Sequence, residues 1–179
     1  MPSIATKRHI SELARHLSDL IPQLAGKDNG ADAWTNAVHS AFAKYSRPRP
    51  GWRIYPKTKA KKGEYLCDFM LFEDGYGPRV ACESQWRHSP YFGKHFDKLA
   101  WSFDKLRGVK ADIKVFIFEG DDEEWRKVWQ EYLMGYALLS PDEAFLILKF
   151  EHDVFRTSWW RPSKRGAHTE AEIKFESLN

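Results

Sequence analysis

Three polar residues in the stretch CDFMLFEDGYGPRVACESQW, residues 67–86, have the types and spacing to do chemistry together: Asp68, Glu83 and Gln85. Asp68 is the one charged residue in an apolar run from Tyr65 to Phe72. Glu83 and Gln85 interrupt a second run that carries Val80, Ala81, Cys82 and Trp86. Acids are seldom kept inside strands that read as buried, because desolvating an unpaired carboxylate is unfavourable. The segment EDGYGP between the two runs reads as a tight turn. With its centre between Gly75 and Tyr76, Asp68 falls opposite Glu83, Leu66 opposite Gln85, and Met70 opposite Ala81. Side chains alternate along a strand, so Asp68, Glu83 and Gln85 share one face. Cys67, Phe69, Leu71, Val80 and Cys82 then form an apolar layer on the other. A slip of one residue would send the two acids to opposite faces.

Carboxylates directly opposite one another have Cβ atoms about 4.5–5.5 Å apart, close enough to repel. A cation between them removes that conflict, and a hard divalent ion such as Mg²⁺, with Mn²⁺ as an alternative, suits oxygen donors. Such an ion can activate water and neutralise charge on a phosphate. The plain alternative is an open sheet face on which Arg79, Arg87 or Lys57 neutralises the acids.

The elements that must position these residues follow from periodicity. Ile10, Leu13, Ala14, Leu17, Leu20, Ile21 and Leu24 lie at helical spacing over residues 9–25, with Pro22 near the end. Asp32 is placed to cap a second helix whose stripe is Trp34, Ala37, Val38, Ala41, Phe42 and Tyr45, and RPRPG stops it. Strands are expected at about 52–56, 65–73 and 79–87. Ser89-Pro90 then opens a third helix with Phe92, Phe96, Leu99, Phe103 and Leu106 on its buried face. IKVFIFE, residues 113–119, reads as a strand covered on both faces. The acids at 121–124 start a fourth helix running to about Leu139, and two strands follow at 145–151 and 154–160. The order α-α-β-β-β-α-β-α-β-β predicts an α/β fold with a mixed central sheet flanked by helices.

That order, with Asp68 on the second strand and Glu83-Ser84-Gln85 on the third, resembles the PD-(D/E)xK, or restriction-endonuclease-like, nuclease superfamily. The likeness covers residues 31–120, about half the chain, so the expected αβββαβ core would carry an N-terminal helix and C-terminal strands as additions. Asp68 matches the aspartate of the motif and Glu83 its second acid, while Gln85 stands where most members have lysine. The resemblance implies hydrolysis of phosphodiester bonds in DNA. Asp68, Glu83 and the Cys82 backbone carbonyl would hold the Mg²⁺, and Gln85 would position the attacking water. Glu12 is the candidate for the extra acid that such enzymes often take from an early helix. Cys67 precedes Asp68 where proline is frequent. A decayed, non-catalytic nucleic-acid-binding protein and an RNA-processing nuclease are the alternative readings.

The 179 residues suffice for a single domain with a sizeable core. The net charge of +3 permits a polyanionic partner without demanding one. Lys57, Lys59, Lys61 and Lys62 in one loop, and Arg87 and Lys94 beyond Gln85, are the candidate phosphate contacts. His88, His95 and Lys98 lie beside them, and Trp159-Trp160 with Arg156, Arg161, Lys164 and Arg165 form a second basic cluster. Double-stranded DNA is the expected partner, and recognition of half-sites would imply a homodimer. Cys67 and Cys82 lack metal-ligand spacing and read as buried free thiols in a reducing cytoplasm. No apolar run reaches the length of a membrane span.

Overall fold

IKVFIFE forms β4 (Ile113–Glu119) in the interior of a sheet, and six of its seven residues are buried. The computed structural model describes residues 4–26, 30–56, 67–87, 95–127, 142–152 and 154–160. Around β4 lie β1 (Trp52–Tyr55), β2 (Phe69–Glu73), β3 (Gly77–Gln85), β5 (Ala144–Glu151) and β6 (Val154–Trp160). The strands stand in the order β1-β2-β3-β4-β5-β6. The pairs β1–β2, β2–β3 and β5–β6 are antiparallel, while β3–β4 and β4–β5 are parallel. The helices are α1 (Lys7–Ala25), α2 (Ala31–Ser46), α3 (His95–Gly108) and α4 (Asp122–Lys127). The fold is therefore α/β with a mixed sheet flanked by helices, in the element order expected from the sequence.

Two separate apolar layers show which face each helix covers. Leu13, Leu17 and Ile21 of α1 and Val38 and Phe42 of α2 pack with Phe69, Leu71, Val80, Cys82, Val115 and Leu146 on one face. Leu99, Phe103 and Leu106 of α3 pack with Met70, Ala81, Phe116, Phe118 and Phe145 on the other. The second contact rests on three side chains that each contribute about 1.5–3 kcal/mol on burial. The alternation along β3 follows from this: Val80 and Cys82 face α1 and α2, while Ala81 faces α3.

Several expectations are corrected at element ends. Gly30, not Asp32, stands at the N-cap of α2, and Asp32 lies inside the first turn, where its charge suits the dipole. In α1, Thr6 caps the start and Pro22 is tolerated within the helix, which runs on to Gly26 at φ +65°. Cys67 packs with Met70 and Ala81 on the α3 face, not with the layer of Phe69 and Leu71. The reason is that β2 begins only at Phe69, so strand alternation does not reach back to Cys67. The start of the third helix at Ser89-Pro90 and the fourth helix beyond Lys127 lie outside the described residues.

The β2–β3 hairpin pairs Phe69 with Cys82, Met70 with Ala81 and Leu71 with Val80. Beyond that point the register shifts, so Phe72 pairs with Pro78 and Glu73 with Gly77. Arg79 is the extra residue, a β-bulge in β3. Gly75 and Gly77, at φ +79° and +90°, take the turn conformations that other residues resist. Without the bulge, the register of the turn would carry Asp68 to Cys82. The bulge instead keeps it aligned with Glu83. The bulge is itself anchored: Arg79 Nε lies 2.7 Å from Glu73 and its Nη1 2.7 Å from Asp112.

Candidate active site

Asp68 stands one residue before β2, and the unbroken pairing of Phe69 with Cys82 places it across from Glu83. Its Oδ2 accepts hydrogen bonds from the Ser84 N–H at 2.8 Å and from the Ser84 hydroxyl at 2.9 Å. A carboxylate thus takes the place a backbone carbonyl would hold if β2 continued. Glu83, two residues past Ala81, lies on the α3 face and is almost fully buried, at 1% exposure. Its Oε2 is 2.6 Å from Lys105 Nζ on α3, whereas its buried Oε1 has no hydrogen-bond partner among the described residues. Gln85 follows on the same face, where its Oε1 accepts from the Ser102 hydroxyl of α3 at 3.4 Å. Its Nε2 donates to the Trp86 carbonyl at 3.1 Å. The α3 helix runs back along β3, so Ser102 meets Gln85 and, one turn later, Lys105 meets Glu83.

The electrostatics follow from this burial. Desolvation pushes the Glu83 carboxyl well above the ordinary range and the Asp68 charge pushes it further, against the pull of Lys105. Desolvation also raises Asp68, opposed by Lys105 and by the two bonds from Ser84. Burial carries the nearby Cys67 thiol up to about 12, with the Glu83 charge adding to the effect. Cys67 is therefore a protonated, inert side chain beside the acids.

Glu83 and Gln85 thus share the α3 face of β3, and Asp68, its carboxylate bonded to Ser84, lies close enough to Glu83 to act on its charge. Neither Arg79 nor Arg87 neutralises the acids. Arg79 is bound to Glu73 and Asp112, and Arg87 lies 2.8 Å from Glu124 and 3.3 Å from Asp121. Lys105, which the sequence pattern did not single out, supplies the positive charge instead. A signal for it exists: FDKL occurs at 96–99 and again at 103–106, placing Lys98 and Lys105 seven residues apart on one flank. Glu12 is not brought to this group. It lies on α1, against the opposite face of the sheet, and is bonded to Arg49. The Cys82 backbone is within β3 beside Glu83, and the Cys82 side chain faces α1 and α2. Lys57, Lys59, Lys61, Lys62, His88, Lys94, Arg161, Lys164 and Arg165 lie outside the described residues.

Oxygen donors of net negative charge are what a hard divalent ion requires, and the unpartnered Glu83 Oε1 is a donor in waiting. Among the described residues no group of three or more His, Cys, Asp or Glu side chains forms a ready-made cage. Comparison with known proteins finds no matching family model, no matching curated protein and no matching solved structure.

Proposed function

We propose that the chain is a metal-dependent nuclease that hydrolyses phosphodiester bonds in DNA on a restriction-endonuclease-like core. One observation carries the reading: two carboxylates, one on β3 and one at the start of β2, lie within reach of the charge of a single lysine from the covering helix. A structural ion pair needs one acid for one lysine. Asp68 also closes the end of β2 on Ser84, yet any short polar side chain could accept those bonds without placing a second charge beside Glu83. The element order α2-β1-β2-β3-α3-β4 supports the same reading.

Asp68 and Glu83 would hold Mg²⁺, with the Cys82 carbonyl as a further donor by resemblance. A bound ion would polarise the phosphate and lower the pKa of a ligand water. The rest belongs to side chains of this chain. Lys105 lies where it can offset charge that develops on the phosphate, the part the superfamily usually gives to the lysine replaced here by Gln85. Each end of the Gln85 amide carries one hydrogen bond and has capacity for another. It would order the attacking water and, through Ser102, hold α3 in place.

Incubation with supercoiled plasmid, with and without Mg²⁺ or Mn²⁺, tests the reading. Nicking should require the metal. Asp68→Ala and Glu83→Ala should each abolish it in protein that circular dichroism shows to be folded, at a modest loss of melting temperature because Ser84 or Lys105 loses its partner. Cleavage at the parent rate by both folded variants would refute the assignment.

A further inference from the structure

We infer that Trp101 is a stacking platform for a nucleobase, and that the preferred substrate carries an unpaired base next to the scissile phosphate. This rests on the nuclease reading above and assigns its substrate class. Trp34 and Trp86 are buried in the core, and Trp52 and Trp159 pack against it. Trp101 is different, with 66% of its surface exposed. It sits on α3 one turn before Lys105, whose Nζ lies 4.5 Å from the indole centroid and 2.6 Å from Glu83 Oε2. The ring therefore stands within about one nucleotide's length of the acids. Lys98, Trp101 and Lys105 recur at intervals of three and four residues, so cation, aromatic ring and cation share one flank of the helix. Positive charge interleaved with an aromatic face is how proteins track a single strand: the cations follow phosphates and the ring stacks on a base.

The choice of an unpaired base follows from the geometry of stacking. In an intact duplex both faces of every base are covered by neighbours, so a surface indole finds no free face. A single strand, a flap or a frayed end offers one without the unstacking penalty. Lys105 also holds the ring from one side, which limits its rotation and prepares it for a flat ligand.

The test uses the full chain with Ca²⁺ in place of Mg²⁺, so that binding is read without turnover. Fluorescence anisotropy would compare a labelled single-stranded oligonucleotide with a blunt duplex of the same sequence. The parent should prefer the single strand. Trp101→Ala should weaken single-strand binding about five- to a hundredfold, the range produced by losing one base–aromatic stack, and should leave duplex binding nearly unchanged. Trp101→Phe should retain most of the affinity. Circular dichroism should show both variants folded, since the ring is outside the core. Single-strand binding equal to the parent's in Trp101→Ala overturns the inference while leaving plasmid nicking, and hence the nuclease reading, intact. A parent that binds neither DNA and nicks no plasmid overturns both.

Discussion

At the scale of residues, the site turns on Lys105. Its contact with Glu83 joins α3 to β3, and its charge also reaches Asp68. Lys105→Met should reduce metal-dependent cleavage about a hundredfold or more, the effect of removing one preorganised donor to a charged transition state. Adding Gln85→Lys to that variant returns an ammonium to the same face and should restore part of the loss. Nicking kinetics on folded proteins check both, and a parent rate for Lys105→Met would reduce its role to packing. The two acids were legible in the sequence because each breaks an apolar run. Lys105 had only the repeat of FDKL to mark it, because a lysine on an amphipathic helix looks the same whether it meets water or a buried carboxylate. Only the helix–strand packing decides which.

At the scale of elements, helices and strands were legible from period and punctuation, down to the mixed sheet. What escaped was set by local competition between neighbours. Gly30 took the cap position that Asp32 could have filled, and Cys67 fell outside the alternation because β2 starts late. The bulge at Arg79 has the largest bearing on the site, since it sets which residue faces Asp68. Its guanidinium bridges two partly buried carboxylates, Glu73 and Asp112. Arg79→Ala should destabilise the fold by about 1–3 kcal/mol, as Glu73 and Asp112 lose their ion pair, although Asp112 keeps the Ile4 N–H. It should also lower cleavage at temperatures where the variant is still folded, because the register of the hairpin is less firmly held. Thermal unfolding paired with cleavage assays separates the two effects. Unchanged cleavage would mean that the turn holds the register without Arg79.

At the scale of the whole molecule, the buried acids link stability to pH. Both Asp68 and Glu83 are raised by burial, so the folded chain without metal keeps protons that the unfolded chain has released. Their contribution is complete below the ordinary carboxylate range and is lost as pH rises through the folded values, by up to about 1.4 kcal/mol per pH unit for each group. In EDTA, the melting temperature of the parent should fall relative to that of Glu83→Gln as the pH is raised from mildly acid toward neutral. A constant difference between the two would show that Glu83 does not titrate in this way. Asp121 and Asp122 are shifted the other way, Asp121 chiefly by a backbone hydrogen bond from Glu124 and Asp122 by Lys149, so the comparison with the variant is the informative one. No helix among the described residues is long and apolar enough to cross a membrane.

The bulge also places a rule of parity on the hairpin. Facing in a paired ladder changes with every single residue inserted and returns with every second. The segment between Asp68 and Glu83 can therefore lengthen or shorten by two residues at its tip with both carboxylates still turned toward α3. A change of one has to be absorbed by the turn or by a second bulge. Where it is not, every strand and helix can stand in place while one acid points into the apolar layer beneath α1 and α2.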